Sequence, residues 1–235
     1  MTARLPSSDT IVAIATGSGR AGLGVVRLSG PGAPAIASGF LELSVPLVAR
    51  HATFTRVVRE GHAIDHAVVT WFQAPNSYTG EDVVEISAHG SPVLLRAIEA
   101  LAIEAGARRA DRGEFTVRAF ANGRLDLSQA EAVADLVDAT SERQARAAFD
   151  QLEGTVGRAI AETGSDLFDL MAKLEASIDF PDEGYRFIER EALVSSIART
   201  RSATQALMAG ARSGRILREG LLVALVGRPN VGKSS

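Results

Sequence analysis

Apolar and polar positions alternate with a period of two through much of the first half of the chain, and recur with a period near 3.6 through most of the second. That change predicts a strand-rich region followed by a helical one. Ile11 to Ala15 reads as a short strand, Gly17 to Gly24 as a glycine-rich turn, and Val25 to Ser29 as a second strand. Gly17, Gly19 and Gly22 spell GxGxxG, but a dinucleotide fingerprint needs a helix to begin there. Val25, Val26 and Leu28 continue as a strand instead, so a hairpin-like connection is the better reading. Ala63 to Phe72 and Val83 to His89 are further strands, separated by the turn-rich polar loop 74–82, and Pro92 opens a helix marked by Val93, Leu94, Ala97, Ile98 and Leu101.

Gly113 to Arg124 forms a segment of its own, and past Arg124 the helical period takes over. Ser128 and Glu131 have capping-box spacing ahead of a stripe at Ala130, Val133, Ala134 and Val137, which Thr140 and Ser141 interrupt. A second long pattern runs from Ala148 through Leu152, Ile160, Leu167, Leu170 and Leu174 to Ile178, where Asp179-Phe180-Pro181 stops it. A third extends from Glu189 to about Arg218, and all three stripes predict helix–helix packing.

Two charges fall inside the strands. Alternation puts Arg27 with Val25 and Ser29 on one face of its strand, and Glu85 with Val83, Ser87 and His89 on one face of another. A solvated face is the ordinary explanation of Arg27, and a ligand for a carboxylate or ring system the sharper one. With Glu85 of opposite sign, an ion pair and a pair of ligands facing one pocket are both consistent with the pattern. His62 and His66 share a strand face about 13 Å apart at ~3.3 Å per residue, too far to share a metal ion.

Near the end, the apolar run Leu221 to Val226 has the character of a strand buried on both faces, and Gly227 to Ser234 then satisfies GxxxxGK[ST]. Lys233 is placed for the β- and γ-phosphates of a nucleotide, and the Ser234 hydroxyl for magnesium. A nucleotide-binding domain needs on the order of 150 residues, so the chain reads as an N-terminal piece of a longer protein, and the piece is expected not to hydrolyse GTP. The net charge of -3 gives no broad electrostatic grip on nucleic acid, and the absence of cysteine removes disulfides and thiolate chemistry. Without a signal core or an apolar stretch of membrane-spanning length, the expectation is a soluble, cytoplasmic protein.

The segments GRAGLGVVRLSGPGA, PNSYTGEDVVEISAHG, GEFTVRAFANGRLDLSQAEAVADLV, SIDFPDE and GRPNVGKSS, in this order, resemble the MnmE (TrmE) family of tRNA modification GTPases over nearly the whole chain. The resemblance implies an α/β N-terminal domain like the tetrahydrofolate-binding domain of aminomethyltransferases over 1–122, the first part of a helical domain over 123–218, and the first strand and P-loop of a GTPase domain over 219–235. It implies binding of 5-formyl- or methylene-tetrahydrofolate at Arg27, Glu85 and Arg124, where Arg124 stands in place of an expected lysine. It implies GTP contacts at Asn230, Val231, Gly232, Lys233, Ser234 and Ser235, with magnesium on Ser234 and potassium on Asn230. It also implies a homodimer and a flavin-dependent partner, MnmG, in a heterotetramer-like complex that adds a carboxymethylaminomethyl or aminomethyl group to C5 of the wobble uridine of tRNA. The alternative is another P-loop GTPase, of ribosome-assembly type, behind an unrelated N-terminal domain.

Overall fold

A computed structural model of the chain describes residues 9–179 and 188–219, with 224, 226 and 227. In chain order the first part holds β1 (Ile11–Ile14), β2 (Leu23–Ser29), α1 (Ala33–Ser38), β3 (Ala52–Arg59), β4 (His62–Phe72), β5 (Val83–His89), α2 (Pro92–Glu104), β6 (Arg108–Arg109) and α3 (Glu114–Ala121). Then follow α4 (Leu127–Val137), α5 (Glu142–Leu152), α6 (Thr155–Asp179) and α7 (Arg190–Glu219). The chain divides into two compact units, residues 1–130 and 131–235.

The six strands of the first unit form one mixed sheet in the order β3-β4-β5-β2-β1-β6, antiparallel throughout except for the parallel β1–β6 pair. β1 and β2 pair antiparallel from Ile11↔Ser29 to Ile14↔Val26, so the glycine-rich turn closes a hairpin, as its sequence predicts. Strand alternation sends Val26, Leu28, Val84, Ile86 and Ala88 to one face, where α1 and α2 cover them with Ala33, Ala37, Leu95, Ile98 and Ala102. Removing these aliphatic side chains from water is the main stabilising contribution in the unit. The opposite sheet face carries Arg27 and Glu85 and is left partly open.

The close approach of β2 to the chain before β1 depends on Gly30. Its φ is +134°, and a Cβ there would lie 2.6 Å from the Asp9 carbonyl oxygen and 2.7 Å from Thr10 Cα. Both obstructions are backbone and cannot swing aside. Gly30→Ala is therefore expected to lower unfolding free energy by about 3 kcal/mol, read as a lower urea midpoint at unchanged slope.

Local sequence patterns differ from the structure at four points. α1 forms after Gly30-Pro31-Gly32, a breaker-rich run that announces no helix, because Pro34 occupies the first turn of a helix, the position where a missing N–H is harmless. β3 is a strand that the alternation does not announce; ATFTRVVR is half polar because it lies at the edge of the sheet. The capping box is Asp126 with Gln129, not Ser128 with Glu131: Asp126 Oδ1 accepts from the Gln129 N–H at 2.8 Å, and Gln129 Oε1 accepts from the Asp126 N–H at 2.9 Å. Leu127 is already helical, which moves the cap two residues earlier. The long pattern from Ala148 to Ile178 is two helices, α5 and α6, broken at Gly154 with φ +77°.

In the second unit α5, α6 and α7 pack on one another, with Ala148, Leu170 and Thr200 buried among them. Ser141 accepts a hydrogen bond from the Gln144 N–H and starts α5, which explains the interruption at Thr140 and Ser141. No helix among the described residues is long and apolar enough to cross a membrane.

Candidate functional site

The two mid-strand charges meet. β2 and β5 pair antiparallel with Arg27 directly opposite Glu85, which puts both side chains on the open sheet face. Arg27 Nε donates to Glu85 Oε1 at 2.9 Å, and Arg27 Nη2 lies 2.7 Å from the same oxygen. Each side chain keeps 28% of its surface exposed. Among the described residues Glu85 Oε2 and Arg27 Nη1 have no hydrogen-bonding partner, so the pair presents an unused acceptor beside an unused donor.

Two aromatic rings lie against the same guanidinium. Arg27 Cζ is 5.6 Å from the centroid of Tyr78 and 5.7 Å from that of Phe115, within cation–π range. Tyr78 comes from the loop 74–82 and Phe115 from α3, and the Tyr78 hydroxyl is 2.8 Å from Thr116 Oγ1. The site is thus a charged, hydrogen-bonding edge beside flat apolar walls, the composition that recognises a planar, polar heteroaromatic ring.

Arg124 is placed differently. It is exposed, and its Cγ lies 3.2 Å from where a Cβ on Gly80 would stand, so its stem runs along the loop that carries Tyr78. No hydrogen bond or ion pair joins it to Arg27 or Glu85 among the described residues. Asn230, Val231, Gly232, Lys233, Ser234 and Ser235 lie outside the described residues. His62 and His66 do not converge: His62 Nδ1 is 3.0 Å from the Glu60 carbonyl oxygen, while His66 stacks on Phe54 with centroids 5.4 Å apart.

Below the aromatic walls is an ion network that sequence pattern does not reveal. Arg118, with 3% of its side chain exposed, donates from Nη2 to Asp9 Oδ1 at 2.7 Å and to Glu114 Oε1 at 3.1 Å. Its Nη1 donates to the Asp9 carbonyl oxygen at 2.9 Å and reaches Glu81 Oε2 at 3.2 Å. Arg108 completes the cluster, from Nε to Asp9 Oδ2 at 2.7 Å and from Nη2 to Glu114 Oε1 at 2.6 Å. The one sequence signal was the Glu114–Arg118 spacing of four on a helix; Asp9 and Glu81 reach the cluster only through the tertiary fold.

Burial works to raise the Glu114 carboxyl, but hydrogen bonds from Arg108, from the Asp111 N–H and from Arg118 outweigh it and bring it from 4.5 down to about 2. A folded-state value below the unfolded one contributes stability that is complete above pH 4.5 and is lost as pH falls towards 2. Acid unfolding followed by Trp71 fluorescence is expected to show that loss in this window. Glu114→Gln, which cannot ionise, is expected to remove this part of the pH dependence.

A mixed sheet covered by helices on one face, with a charged pair and two aromatic rings on the other, in a chain that continues as packed helices, defines an α/β domain followed by a helical domain. The model of the GTP-binding protein TrmE N-terminus matches residues 10–124, and that of the MnmE helical domain matches residues 127–222. A tRNA modification GTPase MnmE of Koribacter versatilis is 48% identical over 232 residues, 97% of this chain and 51% of the relative. One of Francisella tularensis subsp. novicida is 47% identical over 229 residues, 97% of this chain and 50% of the relative. The chain belongs to the MnmE (TrmE) family of tRNA modification GTPases. It spans about half the length of the curated relatives it matches. These matches do not favour a ribosome-assembly GTPase with an unrelated N-terminal domain.

Proposed function

We propose that this chain carries the folate-binding part and the first helical part of a GTP-hydrolysing protein that modifies C5 of the wobble uridine in tRNA. The observation that carries the folate reading is the Arg27–Glu85 pair, which keeps one carboxylate oxygen and one guanidinium nitrogen uncommitted beside Tyr78 and Phe115. A reduced pterin offers the complement: an amino group and a ring N–H as adjacent donors for Glu85, and a carbonyl oxygen as acceptor for Arg27. Arg124, at the rim on the loop side, suits the carboxylates of the glutamate tail. When bound, the folate supplies a one-carbon unit. Arg27 and Glu85 hold and orient its ring.

In this reading the P-loop residues Asn230 to Ser235 open a GTPase domain, with Lys233 on the phosphates, Ser234 on magnesium and Asn230 on potassium. The N-terminal unit forms the homodimer, and the flavin-dependent partner MnmG and tRNA join the assembly. The chain alone is expected to bind folate without hydrolysing GTP.

Calorimetric titration of the chain with 5-formyltetrahydrofolate tests the reading. Saturable binding at one site per chain is the expected result. A folded chain that gives no binding heat and no shift in thermal midpoint with the ligand would leave Arg27–Glu85 a structural pair and overturn the assignment.

A further inference from the structure

The two aromatic walls belong to segments that share no secondary structure. Tyr78 stands in the loop 74–82 and Phe115 in α3, yet both rings lie against one guanidinium. Three links tie the segments together. The Tyr78 hydroxyl pairs with Thr116 Oγ1 at 2.8 Å, and Asn122 Nδ2 donates to the Thr79 carbonyl oxygen at 2.7 Å. The third link is Arg118, which reaches Glu81 of the loop from Nη1 and Glu114 of its own helix from Nη2. Glu81 is held in turn by Ser29 of β2, whose hydroxyl donates to Oε2 at 2.7 Å.

Stability is a poor account of this arrangement. Arg118 Nε is buried without a hydrogen-bond partner, and a buried charge cluster is seldom more stabilising than the apolar side chains that could fill the same space. What the fork-shaped guanidinium does that an apolar residue cannot is bond the loop, the helix and the segment before β1 at once. We propose that Arg118 is a positioning residue for the ligand site: through Glu81 and Glu114 it fixes the loop 74–82 against α3, so that Tyr78 and Phe115 hold Arg27 with its free edge, and that of Glu85, turned to the incoming ring. The inference rests on the folate reading and adds to it the source of the site's preorganisation. A site already held in its bound geometry loses less conformational freedom on binding, and so binds more tightly.

The test is titration of the chain with 5-formyltetrahydrofolate in Thr116→Val, Thr116→Ser, Glu81→Gln and Arg118→Lys, alongside Arg56→Ala at the remote surface pair with Glu42. Trp71, the one tryptophan, reports on the loop, because its Nε1 donates to Asp82 Oδ1 at 3.0 Å. Thr116→Val removes one hydrogen bond and is expected to weaken binding about 3- to 10-fold. Thr116→Ser, which keeps the hydroxyl, restores wild-type affinity. Glu81→Gln and Arg118→Lys are expected to weaken binding about 10-fold or more and to shift Trp71 emission, while Arg56→Ala changes neither. Wild-type affinity in folded Thr116→Val and Glu81→Gln would overturn the positioning role and leave the folate reading standing; these two variants decide the matter if Arg118→Lys does not fold. Absence of binding by the folded wild-type chain would instead overturn the folate reading, and the positioning role with it.

Discussion

Arg118→Ala is expected to destabilise the N-terminal unit by about 3–5 kcal/mol, the range for removing one partner of a buried ion cluster. The substitution takes away the group that faces Asp9, Glu81 and Glu114 together and leaves three carboxylates with Arg108 alone to neutralise them. Asp9 is about a third exposed and relaxes into water, which pulls the effect towards the lower end. Glu81 and Glu114, far more enclosed, have no such escape. Urea unfolding followed by Trp71 fluorescence measures the change as a fall in midpoint. A drop of less than about 1 kcal/mol, the range of a surface ion pair, would mean that the cluster is solvated in solution. The exposed Arg56–Glu42 pair gives the comparison within the same unit, and its removal is expected to shift the midpoint very little.

Glu85→Ala is expected to raise the dissociation constant for 5-formyltetrahydrofolate on the order of 100-fold, with the fold intact. A charge-assisted hydrogen bond contributes about 1.5–3 kcal/mol, and each 1.4 kcal/mol is tenfold in affinity. The variant also frees Arg27 from its cross-strand partner, so the remaining cation is held only by the two rings. Glu85→Gln separates the contributions: it keeps a side chain of the same length but replaces an acceptor-only group with one that also donates, and is expected to lose most of the same affinity. Calorimetry on both variants, with circular dichroism to verify the sheet, is the measurement. Wild-type affinity in either would show that the ring is held elsewhere.

Much of this site was legible in the sequence because strand alternation is a local rule. A charge flanked by Val26 and Leu28, and another flanked by Val84 and Ile86, must leave the face that those residues bury, and both did. That they are direct cross-strand neighbours was not legible, since the register of β2 on β5 is set by pairing between segments more than fifty residues apart. Tyr78 and Phe115 were hidden for the same reason: one reads as part of a polar loop, the other lies ahead of the first clear helical pattern, and only tertiary packing brings them to Arg27. Arg118 was concealed by its own chemistry. A lone arginine on an amphipathic helix ordinarily marks the wet side, and nothing local signals that Asp9 and Glu81 draw it inward. The helical unit was legible in outline from its period, but Gly154 shows why length was misjudged: a stripe continues across a break when the two helices bury the same side.

The parallel pairing of β1 with β6 bears on how the unit is made as well as on how it is held. β1 can close its hairpin with β2 as soon as both have been synthesised, yet its other edge finds Arg108 and Arg109 only some hundred residues later, and Asp9 meets Arg118 later still. Closing so long a loop is slow compared with making a hairpin. A nascent chain emerging from the ribosome therefore carries an unsatisfied β1 edge until β6 has been translated, and over that interval the growing polypeptide is most in need of protection from pairing with its neighbours.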